Sequence, residues 1–367
     1  MLGEFLKGFI LGILTGLTPG LHVNALRRFN LAPATLFTMG TVHTFLDSVP
    51  SALFGVPEES TVPSVLPAHR LVLRGRFGEV VQLSLWASFF AFLLSIILLP
   101  IYSLLAPLYF PTLGKIAVLV LALLLILRQA NRLGAALIFF FSGLLGIVAF
   151  SLPLRDPYYH VFTGIFALPP LLESLLNPPR EVKVEEAQLL LPFPKLLKFS
   201  FFGTLLGALA SLLPALTPGQ ASLLGSAVTR DDRKFLTVVY STNTAAFAFS
   251  LANLALTGRA RNGVMVAIGA VPINALPFLY LLGLSAGTLV LLTGPRIAFL
   301  VGRLAFKRYR IAVLLVLMFL VSLSLLYDGL LGLFLLAASS SLGLLPPRLR
   351  VRRITCMGVL MVPILLG

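Results

Sequence analysis

Charge is scarce in this sequence. Asp, Glu, Lys and Arg make up 11% of its 367 residues, where a soluble domain carries about 25%. Cysteine is scarcer still: Cys356 stands alone. That excludes an intrachain disulfide framework and a cysteine metal cluster. The four histidines (His22, His43, His69 and His160) are scattered without ligand spacing, so no metal site and no cofactor are expected. No Gly-rich loop ends in Lys-Ser/Thr, which excludes an ATP engine of the common type. There is no His-Glu-x-x-His and no Gly-x-Ser-x-Gly elbow, and no enzyme is expected. Alternating barrel-type strands are not evident. The first apolar run has no small-residue cleavage site and reads as a retained membrane segment.

What the chain has is apolar length. Hydrophobic residues make up 58% of it. Its long apolar runs predict an all-α polytopic integral membrane protein, with about ten to twelve segments at ~20 apolar residues per span. The expected location is the cell (plasma) membrane, multi-pass. The acidic shortage is the second asymmetry: 28 Lys+Arg stand against 13 Asp+Glu. Positive-inside bias accounts for most of it. Attraction of an anionic substrate or a lipid head group is the other source. The basic residues lie in short loops between spans, so no nucleic-acid partner is expected.

The sequence also repeats itself. Leu17-Thr-Pro19-Gly20 returns as Leu216-Thr-Pro218-Gly219. Gly164-x4-Pro169-x-Leu-Leu returns as Gly358-x4-Pro363-x-Leu-Leu, and Leu73-Arg-Gly75-Arg76 has a counterpart in Leu256-Thr-Gly258-Arg259. Three matches in one order point to a duplicated chain: a first transmembrane repeat (1–176), a Pro-rich charged linker (177–195) and a second repeat (196–367). With one crossing per apolar segment, the basic clusters at Arg70/Arg74/Arg76, at Arg128/Arg132 and in the linker share one face, the cytoplasm. Placing Arg303–Arg310 and Arg348–Arg353 there too makes the segment after Gly358 run outward. The segment after Gly164 runs inward. The halves are expected to be inverted-topology repeats, the design of many secondary transporters.

Pro removes a backbone donor and clashes with the preceding turn, while Gly accepts backbone angles that other residues avoid. Each Leu-Thr-Pro-Gly is therefore expected to make a broken, re-entrant helix hairpin. Such a break survives at membrane depth where it is buried in protein or lines a wet cavity. The restarted helix offers free N–H groups and a positive dipole end, which suit an anion. Thr18, Pro19, Gly20, His22 and Asn24 form the first candidate substrate-binding set. Thr217, Pro218, Gly219, Gln220 and Ser222 form the second, with Asn243 from the polar run Ser241-Thr-Asn243-Thr. His43 and Asp47 lie four apart, on one helical face, and are candidates for coupling to H+ or Na+. Arg70, Arg74, Arg76, Arg259 and Arg261 are candidates for an anion entrance or for lipid-head contacts. Cytoplasmic anchoring is the plainer reading of the first three.

These motifs resemble the large permease subunit of the tripartite tricarboxylate transporters. Gly16-Leu-Thr-Pro19-Gly20 and Pro214-Ala-Leu-Thr-Pro218-Gly219 match that family's early break in each half. Gly75-Arg76-Phe-Gly78 matches its G-R-x-G element, and Ser241-Thr-Asn243-Thr-Ala245-Ala246 its A-N-N-A-A element. The family's Y-G-G-S is replaced around Val42-His43-Thr44-Phe45. The resemblance implies a secondary-transport fold with paired Pro-Gly hairpins. In the family a periplasmic binding protein and tricarboxylate substrates accompany this fold. A weaker similarity links Ala210–Gly219 to the polyprenyl-phosphate translocases, membrane proteins with I-P-G-x-S-G-type motifs in two halves.

The expected function is ion-coupled secondary transport of an organic anion, a carboxylate, by alternating access between the two breaks. Translocation of a polyprenyl-phosphate lipid carrier (a flippase) is the alternative. An intramembrane lipid-modifying enzyme using His43 and Asp47 is a third reading, for which the sequence offers no nucleophile or metal. The expected partners are a small anionic substrate or lipid phosphate, membrane lipids, and a second copy in a homodimer.

Overall fold

The computed structural model describes residues 1–18, 31–55, 60–108, 111–177, 184, 188–213 and 216–366. Every regular element among them is helical. The chain begins with α1 (Leu2–Leu17), α2 (Pro33–Leu46), α3 (Ser48–Phe54), a 3-10 turn (Val62–Ser64) and α4 (Val65–Leu73). Then come α5 (Phe77–Ile97), α6 (Leu99–Leu105), α7 (Pro111–Leu127) and α8 (Arg132–Ser151). α9 (Pro157–Phe162), a π turn (Thr163–Ala167) and α10 (Leu168–Leu176) follow. Beyond them lie α11 (Phe193–Leu212), the short α12 (Pro218–Ser222) and α13 (Gly225–Val228), and the long α14 (Asp232–Thr257). α15 (Gly263–Ile268), α16 (Leu276–Lys307), α17 (Tyr309–Gly343), α18 (Leu345–Arg348) and α19 (Gly358–Leu366) complete the order.

Seven helical stretches among the described residues are long and apolar enough to cross a bilayer. Large apolar side chains such as Leu326, Leu330 and Phe334 stand outward on α17, as a hydrocarbon surround allows. The protein is an all-α polytopic membrane protein. Prolines and glycines decide where its helices stop. α2 starts on Pro33, whose missing N–H is an orphan of the first turn in any case. Pro50 cannot donate to the carbonyl of Leu46, which separates α2 from α3 at Asp47. α17 is interrupted at Asp328 and Gly329, the latter at φ 60° and ψ −146°.

By internal contacts the chain divides into two compact units, and each takes a portion of both halves of the sequence. The first comprises Met1–Tyr109, Pro179–Leu212 and Leu216–Tyr309. The second comprises Phe110–Pro178, Leu213–Ala215 and Arg310–Gly367.

In the first unit α14 is the axis: every residue from Leu236 to Leu254 is buried. That is the expected state of a helix that is weakly polar but carries no charge through its middle. α1 closes on α2 along small residues one turn apart, and a Cβ added at Gly12 would stand 2.5 Å from Cβ of Val42. α11 closes on α14 in the same way, and a Cβ at Gly207 would stand 2.6 Å from Cβ of Ala245. Small residues let backbones approach where lipid supplies no hydrophobic drive between helices. α2 and α14 meet at Gly40, where a Cβ would overlap the Phe247 ring at 2.1 Å. Phe37 stacks on Phe247 at 5.4 Å, and Phe92 and Tyr280 close the cluster around it.

The second unit repeats one contact pattern twice. Gly164 abuts Ser339 and the carbonyl of Leu336, and the next carbonyl, of Ile165, abuts Gly343. Gly358 abuts Ser142 and the carbonyl of Phe139, and the next carbonyl, of Val359, abuts Gly146. In both cases the receiving helix spaces its serine and glycine four residues apart. At the interruption of α17, the Asp328 carboxylate accepts the N–H groups of Arg155 and Asp156 and meets Nε2 of His160 at 2.7 Å. Nδ1 of His160 lies 2.9 Å from Oγ of Ser324.

Candidate functional site

The first unit carries a buried polar seam where α2, α3, α5 and α14 converge. At its centre the Asn243 amide donates from Nδ2 to Oδ2 of Asp47 at 2.6 Å. Asp47 is 1% and Asn243 5% exposed, so neither has bulk water as a competing partner. Asp47 is placed by the α2–α3 junction and Asn243 by the middle of α14. The contact spans 196 positions in sequence. Hydroxyls stitch the surrounding helices. The carbonyl of Thr44 accepts from Ser88 and Thr244, each at 3.4 Å. Ser241 donates to the Ala87 carbonyl, and Ser48 donates to Ser84, which donates to the carbonyl of Phe45. His43 is buried one turn before Asp47, beside that carboxylate and the Thr15 backbone.

The second break lies against this seam. α11 ends at Leu212, and α12 restarts under Thr217 with a capping box. The Gln220 N–H donates to Oγ1 of Thr217 at 3.2 Å, and the Thr217 N–H donates to Oε1 of Gln220 at 3.1 Å. Each side chain thus satisfies one orphan donor of the helix start. Pro218 sits at the first helical position, where its ring fits, and Ser222 donates to the Gly219 carbonyl. α12 packs on α11, on α14 and on the 3-10 turn Val62–Ser64. At the first break, Thr18 ends α1 in an extended conformation with its N–H on the Leu14 carbonyl. Pro19, Gly20, His22 and Asn24 lie outside the described residues, as do Glu58 and Glu59.

Two of the candidate arginines, Arg70 and Arg76, pair with carboxylates. Arg70 meets Asp232 at 2.6 Å on the exposed start of α14. Arg76 donates to Glu79 and to the Gln188 carbonyl. Arg74 is exposed at the end of α4. Arg259 is exposed just past α14, its N–H on Oγ1 of Thr257, and Arg261 reaches the Ala210 carbonyl. The structure thus places Asp47, Asn243, His43 and the second break in one unit, which also holds Arg70, Arg74 and Arg76 around the end of α4 and the start of α5.

Sequence reasoning missed two groups. Glu79 is fully buried and is held by Arg233 at 2.6 Å and 3.0 Å, by Arg76 and by the Leu190 N–H. A lone Glu at the head of an apolar span was the available signal. Tyr240, Thr61 and Ser64 are also buried near the second break. The signal for Tyr240 was its place one turn before Asn243.

A family model described as the tripartite tricarboxylate transporter TctA family matches residues 2–358 of the chain. An uncharacterized protein of Methanocaldococcus jannaschii, MJ1079, is 31% identical over 288 residues, which cover 71% of this chain and 70% of that relative. No solved structure matches the chain.

Proposed function

Because the chain belongs to the tripartite tricarboxylate transporter TctA family, we propose that it carries a carboxylate across the cell membrane by ion-coupled alternating access. The substrate sits where the meeting of α2 and α14 faces the break before α12. The observation that carries this reading is the buried Asn243–Asp47 bond of 2.6 Å. An ionisable side chain at membrane depth, held by an amide from the other half of the sequence, is a functional residue by default. Asp47, with His43 one turn before it, takes up the coupling proton. Thr217, Gln220 and Asn243 turn donors toward the anion. The family's description names a tripartite system, so further protein components belong to the reading.

The same reading treats 1–176 and 196–367 as inverted repeats joined by 177–195. Its support is the doubled contact pattern of the second unit, in which Gly164 meets Ser339 as Gly358 meets Ser142. Each half supplies the glycine helix to the other half's serine helix. Such reciprocity is what a pseudo-twofold axis produces.

Purified protein in liposomes tests the proposal with labelled citrate under an imposed pH or Na+ gradient. A polyprenyl phosphate serves as the competing substrate. Gradient-driven citrate accumulation is the expected result. Asp47→Asn should abolish accumulation under the gradient while leaving citrate exchange at equal pH. If neither gradient drives any di- or tricarboxylate, or if the lipid phosphate moves instead, the proposal fails.

A further inference from the structure

The capping box at the second break fixes more than the helix start. The Thr217 N–H can be accepted only by the oxygen of the Gln220 amide, and it is, at 3.1 Å. The amide orientation is thereby set, and Nε2 with both its N–H groups faces away from the cap. Gln220 is 2% exposed, and Nε2 has no hydrogen-bond partner among the described residues. A buried donor is rarely left unmet in a folded protein.

A second unspent donor lies on the element that α12 touches. The carbonyl of Thr61 accepts both the N–H and the hydroxyl of Ser64, at 2.8 Å and 2.7 Å. The Thr61 hydroxyl itself is fully buried and has no partner among the described residues. The turn Val62–Ser64 packs on both α12 and α14. From α14 the Tyr240 hydroxyl, on a residue 1% exposed, comes beside Ser64 and within electrostatic reach of Asp47.

Building on the transport reading, we infer that Gln220, Thr61 and Tyr240 form a neutral cradle whose N–H and O–H donors take one carboxylate group of the substrate. The chemistry selects the ligand class. The Gln220 Nε2 offers only donors, and the Thr61 and Tyr240 hydroxyls can each add an O–H, which matches the lone pairs of a carboxylate. The absence of a full positive charge suits a carrier, because the ligand must leave as readily as it arrives. The cradle belongs to one half only. Counting from Thr217 to Gln220, the matching residue after Thr18 is Leu21, which has no amide.

The test uses the full chain in liposomes with citrate and succinate as probes. Thr61→Val and Tyr240→Phe each delete one hydroxyl at nearly constant shape. Each should raise the KM about tenfold with kcat little changed, the loss of one hydrogen bond to a charged group. Gln220→Glu keeps the oxygen that accepts from Thr217 but replaces the free donors with a negative oxygen, and should lose transport while remaining folded by thermal unfolding and gel filtration. Wild-type KM for both probes in Thr61→Val and Tyr240→Phe would overturn the cradle and leave carboxylate transport standing. A wild-type protein that moves neither probe would overturn both.

Discussion

At the residue scale the fold hinges on side chains that are small. Gly40 lets the Phe247 ring lie where a Cβ would be, at 2.1 Å. Gly40→Ala should therefore lower stability by about 1–3 kcal/mol, the usual penalty for overfilling a packed core. Phe247→Leu should recover part of that loss in the double variant, since the two residues share one contact. Thermal unfolding in detergent reads both effects. Additive losses would show that the ring and the glycine are not coupled. The Asp47–Asn243 pair belongs to the same meeting of helices, so a clumsy substitution at Gly40 should also depress citrate transport.

At the element scale, breaks and turns carry the chemistry. Asp328 ties the interruption of α17 to the segment before α9 through two N–H groups and His160, with its side chain 3% exposed. Asp328→Ala strands the buried Asp156 N–H and the His160 ring. It should cost about 1–3 kcal/mol in unfolding measurements. A change within error would mean that the loop finds other partners. The corresponding tie elsewhere in that unit uses amides: Gln129 accepts the Arg352 N–H, and Asn131 donates to the Leu349 carbonyl. Much of the element level was legible in advance. Leu-Thr-Pro-Gly marked the restart of α12. The sequence could not say which helix each face meets. Asp47 and Asn243 are 196 positions apart, and Glu79 and Arg233 are 154 apart. No local periodicity encodes a pairing across such distances. Thr61 and Tyr240 were illegible for a related reason: a hydroxyl signals a site only when its surroundings leave it unspent.

At the scale of the whole molecule, the two compact units do not follow the order of the chain. The first needs α2 from the first half and α14 from the second, and the second needs α8 and α19. Residues 1–176 expressed alone should not yield a stable protein, and neither should 196–367. Co-expressed, the two pieces should co-purify and recover citrate uptake. Stable, monodisperse single halves would contradict that dependence. The charge surplus of +15 is spread over loop clusters and should set orientation in the membrane more than affinity.

On the proposed inverted-repeat reading, the unlike residues that follow the two Thr-Pro-Gly stretches have a kinetic meaning. Thr-Pro-Gly-Gln stands at one break and Thr-Pro-Gly-Leu at the other. With inverted halves, a substrate arriving from one face of the membrane meets the amide first, and one arriving from the opposite face meets leucine. A carrier so built would be a valve with unequal mouths, with half-saturation differing between inward and outward flux. Its resting accumulation ratio would still be set by the driving gradients across the membrane, because a binding asymmetry cannot move an equilibrium.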